Sequence, residues 1–235
     1  MGAGARRRVE AYWSRVFPVA PGEDGGALVV PHGALLHGYP GLYCLVRGRH
    51  VRVSAPPERV AEVRSWPLRA ERVASPEWWQ ERLPGWTVLG PSVHSYTSRP
   101  VRVRSARVPL TVAEATPASL ARLQEALSAE DWAEAGFDRD DVGAAWVCTD
   151  PAGAVLGGAN LTVFDGCHSD VGVATAPGAR GQGIAAVLAA TATAWAVDHH
   201  GLARWRALET NVPSRRLAVT LGFEDHGTQL AARPD

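Results

Sequence analysis

The chain has 235 residues, 46% of them apolar, with equal numbers of basic and acidic groups, and that is ample material for one large core or two small ones. All 24 basic residues are arginine; without lysine there is no Walker-type phosphate loop, no pyridoxal Schiff base and no strand lysine of a protein kinase. The zero net charge hides an asymmetry: residues 1–108 hold 16 arginines against 8 acids, and residues 109–235 hold 8 against 16. A basic half either binds nucleic acid or docks on its acidic counterpart.

The opening stretch, MGAGARRRVEAYWSRV, has a basic cluster but no following apolar segment with a small-residue cleavage site, so it does not read as a signal peptide. The longest nearly uncharged apolar run, Ile184 to Val197, falls short of the roughly 20 residues that span a bilayer. No membrane partner and a cytoplasmic location are the expectation. Cys44, Cys148 and Cys167 are odd in number and far apart, which suits reduced, buried thiols better than a disulfide framework.

In chain order, PGLYCLVRGRHVRVSAPP predicts two short strands turning at Arg47-Gly48, then a helix from about Pro57 to Trp66. A second short helix near SPEWWQERL precedes a strand at WTVLG. Residues 1–99 therefore read as a small α+β subdomain in which no chemistry is evident. The texture changes near Pro100, where a second domain, 100–235, is expected to begin. A strand ending near Val112 leads to a helix beginning by Pro117. GAAWVCTDPAGAVLGGANLTVFDGCHSDVGVAT predicts three strands with turns at residues 150–153 and at Asp165-Gly166, the latter a strong hairpin signal. Ile184, Val187, Leu188 and Trp195 then share a helical face, and Gly201 lies where that helix should stop. ARWRALETN is a strand, PSRRLAVTL a helix with Pro213 in its first turn, and GFEDHGTQLA a final strand.

The stretch with chemical content is PGARGQGIA, residues 177–185, a glycine-rich loop that opens the alanine-rich helix. Gly181, Gly183 and Ala186 also satisfy a dinucleotide fingerprint, but the preceding strands form hairpins and only about 50 residues follow, too few for a doubly wound fold. A tight strand-to-helix turn is the plain alternative. Small residues before a helix let the backbone approach a diphosphate, and the first N–H groups of the helix point outward without partners.

Arg180-x-x-Gly183-x-Ala185 resembles the donor loop of the GNAT acyltransferase superfamily. NVPSRRLAVTLGF, residues 211–223, resembles that family's second signature, and LTVAEATPASLARL its opening strand and helix. The resemblance covers roughly residues 100–235. It implies an α+β fold, a mixed and mostly antiparallel central sheet flanked by helices. For residues 1–99 it suggests a degenerate copy, as in tandem members, although no motif there carries this.

The same resemblance implies acetyl-CoA or another acyl-CoA as co-substrate, no metal, and transfer to the amine of a small molecule by direct attack. It implies the pyrophosphate on the amides of Arg180, Gly181, Gln182, Gly183, Ile184 and Ala185, and pantetheine along Val173, Ala174 and Thr175. Asn211 would touch the same arm, a role compatible with capping the next helix. An alkylamine with pKa near ~10 is only about 0.1% neutral at pH 7, so a base is useful. Asp170 and Glu209, the latter sharing strand parity with Asn211, are the carboxylates named for it; either also reads as the partner of an arginine. Many relatives carry an acid tyrosine where Ala218 stands, and Ser214 is a weak substitute or a helix support. The segment 128–141, rich in acids around Trp132 and Phe137, borders the acceptor region, as an acidic lip for a cationic molecule or a solvated loop. Two other functions stay open: aminoacyl transfer from tRNA gripped by the basic half, and a non-catalytic acyl-CoA-binding module.

Overall fold

A computed structural model describes residues 1–18, 26–99 and 105–235. In chain order these form α1 (Ala3–Val16), β1 (Ala27–Pro31), β2 (Leu42–Arg47), β3 (His50–Ala55), α2 (Val60–Arg64), α3 (Ala70–Val73), α4 (Pro76–Arg82), β4 (Trp86–Thr97), β5 (Thr111–Glu114), α5 (Pro117–Ala126), α6 (Ala129–Glu134), β6 (Ala144–Thr149), β7 (Val155–Phe164), β8 (Cys167–Thr175), α7 (Ile184–His200), β9 (Ala203–Leu208), α8 (Val212–Thr220) and β10 (Glu224–Pro234). Among the described residues no helix is long and apolar enough to cross a membrane.

Contacts divide the chain into two compact units. One comprises Ala3–Ser95, Ala207–Val212 and Asp225–Asp235, and the other Met1–Gly2, Tyr96–Arg206 and Pro213–Glu224. The expected boundary at Pro100 lies outside the described residues. The structure groups the last strand with the first unit because β2 has an open edge: β10 pairs with it antiparallel, Leu230 opposite Cys44. That pairing places Leu230 and Ala232 in the first unit's core, with Val53, Val63, Trp78 and Trp79.

In the first unit the strand order is β1-β3-β2-β10-β4, with β1 parallel to β3 and β2 antiparallel to it. The sequence reading missed α1 and β1. The signal for α1 was there: Val9, Trp13 and Val16, all buried, recur at helical spacing. Trp13 is stacked on His226 at 5.6 Å between ring centroids.

In the second unit the order is β9-β8-β7-β6-β5. The ladders from β5 to β8 are antiparallel, and β8 meets β9 in parallel. The fold is mixed α+β, a largely antiparallel sheet flanked by helices. Adjacent glycines of β7 show which helices lie on which face, since neighbouring strand positions point to opposite sides. A Cβ at Gly158 would meet Leu123 of α5, and one at Gly157 would meet Leu188 of α7 at 3.3 Å. The two helices therefore cover opposite faces. Leu123, Leu127, Phe137 and Val147 form the core on the α5 face. Cys44 and Cys148 are buried and Cys167 half-buried; all three are free thiols, and burial pushes Cys148 up to about 11.

Candidate active site

The glycine loop follows β8 directly. Pro177–Ala179 makes one 3₁₀ turn, in which the Arg180 N–H donates to the Pro177 carbonyl at 3.4 Å. The Arg180 amide, expected in the cradle, is thus used internally, and the cradle begins one residue later. Gly181 and Gly183 take left-handed φ values of 77° and 83°, a conformation that costs an L side chain roughly 1–2 kcal/mol. The Gln182 carbonyl accepts from the Arg107 N–H at 2.9 Å. Because the peptide plane is trans, this aims the Gly183 N–H the opposite way. The Ala186 and Val187 N–H groups both donate to the Gly183 carbonyl and close the first turn of α7. Among the described residues, the N–H groups of Gly181, Gln182, Gly183, Ile184 and Ala185 have no acceptor.

Below the loop, Val173, Ala174 and Thr175 pair with β7 along one edge, opposite Ala159, Gly158 and Gly157. Toward β9 the pairing is formed at a single point, Asp170 opposite Arg204. Past that point residues 171–175 have no ladder partner on that side among the described residues. The Thr175 hydroxyl is buried without a hydrogen-bond partner. Unbonded amides, an open strand edge and an orphaned hydroxyl in succession fit a diphosphate with a polar, extended arm. A Cβ at Gly181 would meet nothing within 4 Å, so the space over the cradle is open there.

At the other end of β8 lies a small open cavity of about 70 Å³, lined by Glu134, Arg139, Thr162, Asp170, Gly172 and Arg206 among others. Asp170 is on its wall, as a fixed ion pair. Arg204 Nε donates to its Oδ1 at 2.9 Å and Nη2 to its Oδ2 at 2.5 Å, with the two side chains only 7% and 9% exposed. Arg206, two positions further along β9, lies on the same face, with Nη2 4.0 Å from Asp170 Oδ2. Arg139 forks onto Asp141, both contacts at 2.7 Å; this bond holds the Asp141 carboxyl down at about 2. Sequence reasoning passed over Arg139, Arg204 and Arg206, although the Arg-x-Arg alternation of ARWRAL marks two of them as sharing a face.

Part of the acidic segment 128–141 is a short helix, α6, and not a loop. Ser128 caps α6 by accepting from the Asp131 N–H, and Asp131 pairs with Arg180 at 2.7 Å. Trp132 and Phe137 stack on each other at 4.7 Å and pack against the α5-side core, so they are not anchors for a ligand. Only Glu134 of these acids lines the cavity. The end of α6 rests on the sheet because Gly172 has no side chain: a Cβ there would stand 2.0 Å from the Ala135 carbonyl oxygen.

The remaining expected residues are placed differently. β9 ends at Leu208, so the strand-parity argument for Glu209 and Asn211 lapses. The Asn211 N–H donates to the Leu208 carbonyl at 3.0 Å and turns the chain out of the strand. Both residues group with the first unit. Ser214 Oγ accepts from the Trp205 indole N–H at 3.0 Å, which supports the start of α8. Ala218 is buried. Among the described residues no group of three or more His, Cys, Asp or Glu side chains is arranged to hold a metal ion.

Residues 111–223 match the family model described as the Acetyltransferase (GNAT) family. Among solved structures, the chain is similar to a GCN5-related N-acetyltransferase from Kribbella flavida, with 23% identity, 66% of this chain and 62% of that one covered, and a TM-score of 0.44. It is also similar to a GCN5-related N-acetyltransferase from Sphaerobacter thermophilus, at 13% identity, 66% and 54% coverage and a TM-score of 0.48. A tandem GNAT protein from the clavulanic acid biosynthesis pathway gives 16% identity, 68% and 59% coverage and a TM-score of 0.45. The chain spans less than two thirds of each of these structures. No curated protein sequence matches it. The matched segment contains the glycine loop, the open edge of β8 and Leu221-Gly222-Phe223, and on that match residues 111–223 form a GNAT acetyltransferase domain.

Proposed function

We propose that the chain is an acyl-CoA-dependent N-acyltransferase that moves an acetyl group from acetyl-CoA to the amine of a small molecule. The observation that carries this reading is the run of five acceptor-less N–H groups from Gly181 to Ala185 at the start of α7. Each hydrogen bond to a charged acceptor is worth about 1.5–3 kcal/mol, with about 0.3–1 kcal/mol more from the helix dipole. Gly181 through Ala185 hold the diphosphate, and the free edge of Val173, Ala174 and Thr175 holds the pantetheine arm.

A bound thioester supplies an activated carbonyl and a thiol leaving group. The acceptor nitrogen forms the new C–N bond as the C–S bond breaks; one proton leaves the nitrogen, and the sulfur departs with the electron pair of the broken bond. Asp170 and Glu134 are the carboxylates on the cavity that steady the amine as it loses its proton. The oxygens of Asp170 are shared with Arg204, which fixes their position. The buried Ala218 offers no proton to the sulfur, so the thiol leaves as thiolate.

The test is thermal unfolding with and without acetyl-CoA, followed by thiol release with pooled amines. At 100 times its Kd, acetyl-CoA should stabilise the chain by about 2.7 kcal/mol. Gly181→Ala, which strains a left-handed position on the cradle, should weaken that effect at least tenfold in affinity. Gly178→Ala, in open space outside it, should leave it intact. No stabilisation by acetyl-CoA sinks the proposal, and stabilisation without thiol release across the amines marks a binding module instead.

A further inference from the structure

The geometry points to Arg107 as the cation that receives the donor's phosphoryl charge, a role the glycine loop does not fill for itself. The inference rests on the acyltransferase reading and adds a donor-binding residue from outside the matched segment 111–223. An acyl-CoA brings a diphosphate and a ribose phosphate, whereas the cradle from Gly181 to Ala185 offers neutral backbone amides. The loop's own arginine is committed: Arg180 Nη2 donates to Asp131 Oδ2 at 2.7 Å and Nε to the Thr175 carbonyl at 3.3 Å. The same Asp131 oxygen accepts from the Ser128 hydroxyl at 2.8 Å, so the ion pair is fixed at the start of α6.

Arg107 is tied to the cradle through its backbone. Its N–H donates to the Gln182 carbonyl at 2.9 Å, and a Cβ at Gly183 would lie 3.6 Å from the Ala106 Cα, so residues 105–107 run along the loop in van der Waals contact. The Arg107 side chain is exposed and has no hydrogen-bond or ion-pair partner among the described residues. A backbone anchored here and a long, flexible stem bring the guanidinium within reach of a phosphoryl group held on the amides. Its planar fork matches phosphate oxygens in two parallel bonds. The amides thus give direction and close approach, and the arginine gives net charge.

The test uses the full chain with acetyl-CoA, CoA and dephospho-CoA, which lacks the ribose phosphate, and reads each Kd by calorimetry at low and high salt. Arg107→Gln should weaken acetyl-CoA binding about 5–20-fold at low salt. Arg107→Lys should recover part of that loss, and the gap between the wild type and Arg107→Gln should close as salt rises. Loss of the wild type's preference for CoA over dephospho-CoA assigns the charge to the ribose phosphate, and equal weakening of both assigns it to the diphosphate; either result upholds the inference. A Kd for Arg107→Gln within about twofold of the wild type's, or a loss that salt does not change and lysine does not repair, overturns it and leaves the acyltransferase reading in place. Failure of the wild type to bind acetyl-CoA overturns both.

Discussion

Asp170 and Arg204 lie on neighbouring parallel strands, paired directly across the ladder, and the guanidinium also sits 4.4 Å above the Phe164 ring. The pair is buried, so its two halves are worth little apart. Arg204→Met strands a carboxylate in the wall and should cost about 3–5 kcal/mol, whereas Asp170→Asn combined with Arg204→Met should recover more than half of it. Urea unfolding of the three proteins measures this. A loss under about 1 kcal/mol for Arg204→Met would class the pair with exposed ion pairs. At this scale the glycine loop was legible in advance, because left-handed turns and missing side chains are local properties. The arginine pairing was not, since its partners stand 34 residues apart.

At the scale of elements, the position of α6 depends on one missing methyl group. Asn160 Nδ2 donates to the Ala135 carbonyl at 2.9 Å, and Gly172 opposite Asn160 leaves the space in which that carbonyl sits. Gly172→Ala forces the backbone of α6 off the sheet, with an expected loss of about 1–3 kcal/mol. It should also weaken acceptor binding, because Glu134 moves with the helix end; the denaturation midpoint and the acceptor KM check the two effects together. A midpoint equal to the wild type's would mean that α6 is held by other contacts. The sequence reading treated this segment as a loop, because a helix of six residues carries too few apolar positions to show a period. The hairpins and α7 were plain, marked by Asp165-Gly166 and by Gly201 at a φ of 70°.

The whole molecule has two units, and acid should act first on the one that holds His226. Burial, then the nearby Arg47 charge, depresses the His226 imidazole from 6.5 to about 4. Above pH 6.5 the ring is neutral in both states and pH has no effect through it. Between pH 6.5 and 4 the unfolded chain takes up the proton and the folded chain does not, so stability falls as pH falls. The loss approaches about 3 kcal/mol near pH 4. His226→Phe preserves a ring beside Trp13 without the titration, and should flatten this slope in unfolding followed by tryptophan fluorescence. Identical slopes for the two proteins would remove His226 as the cause.

By itself the sequence determined the things that depend on neighbours along the chain: the turns, the helix ends, the positive-φ glycines of the donor loop and the family that they indicate. Only the tertiary structure decided that β10 completes the sheet of the first unit, that Asp170 is tied to Arg204, and that Arg206 opens onto the cavity. The physical reason is that backbone conformation answers to local sterics, whereas strand pairing and charge pairing answer to whichever distant segment shares the same edge or wall. A chain alone does not display that proximity.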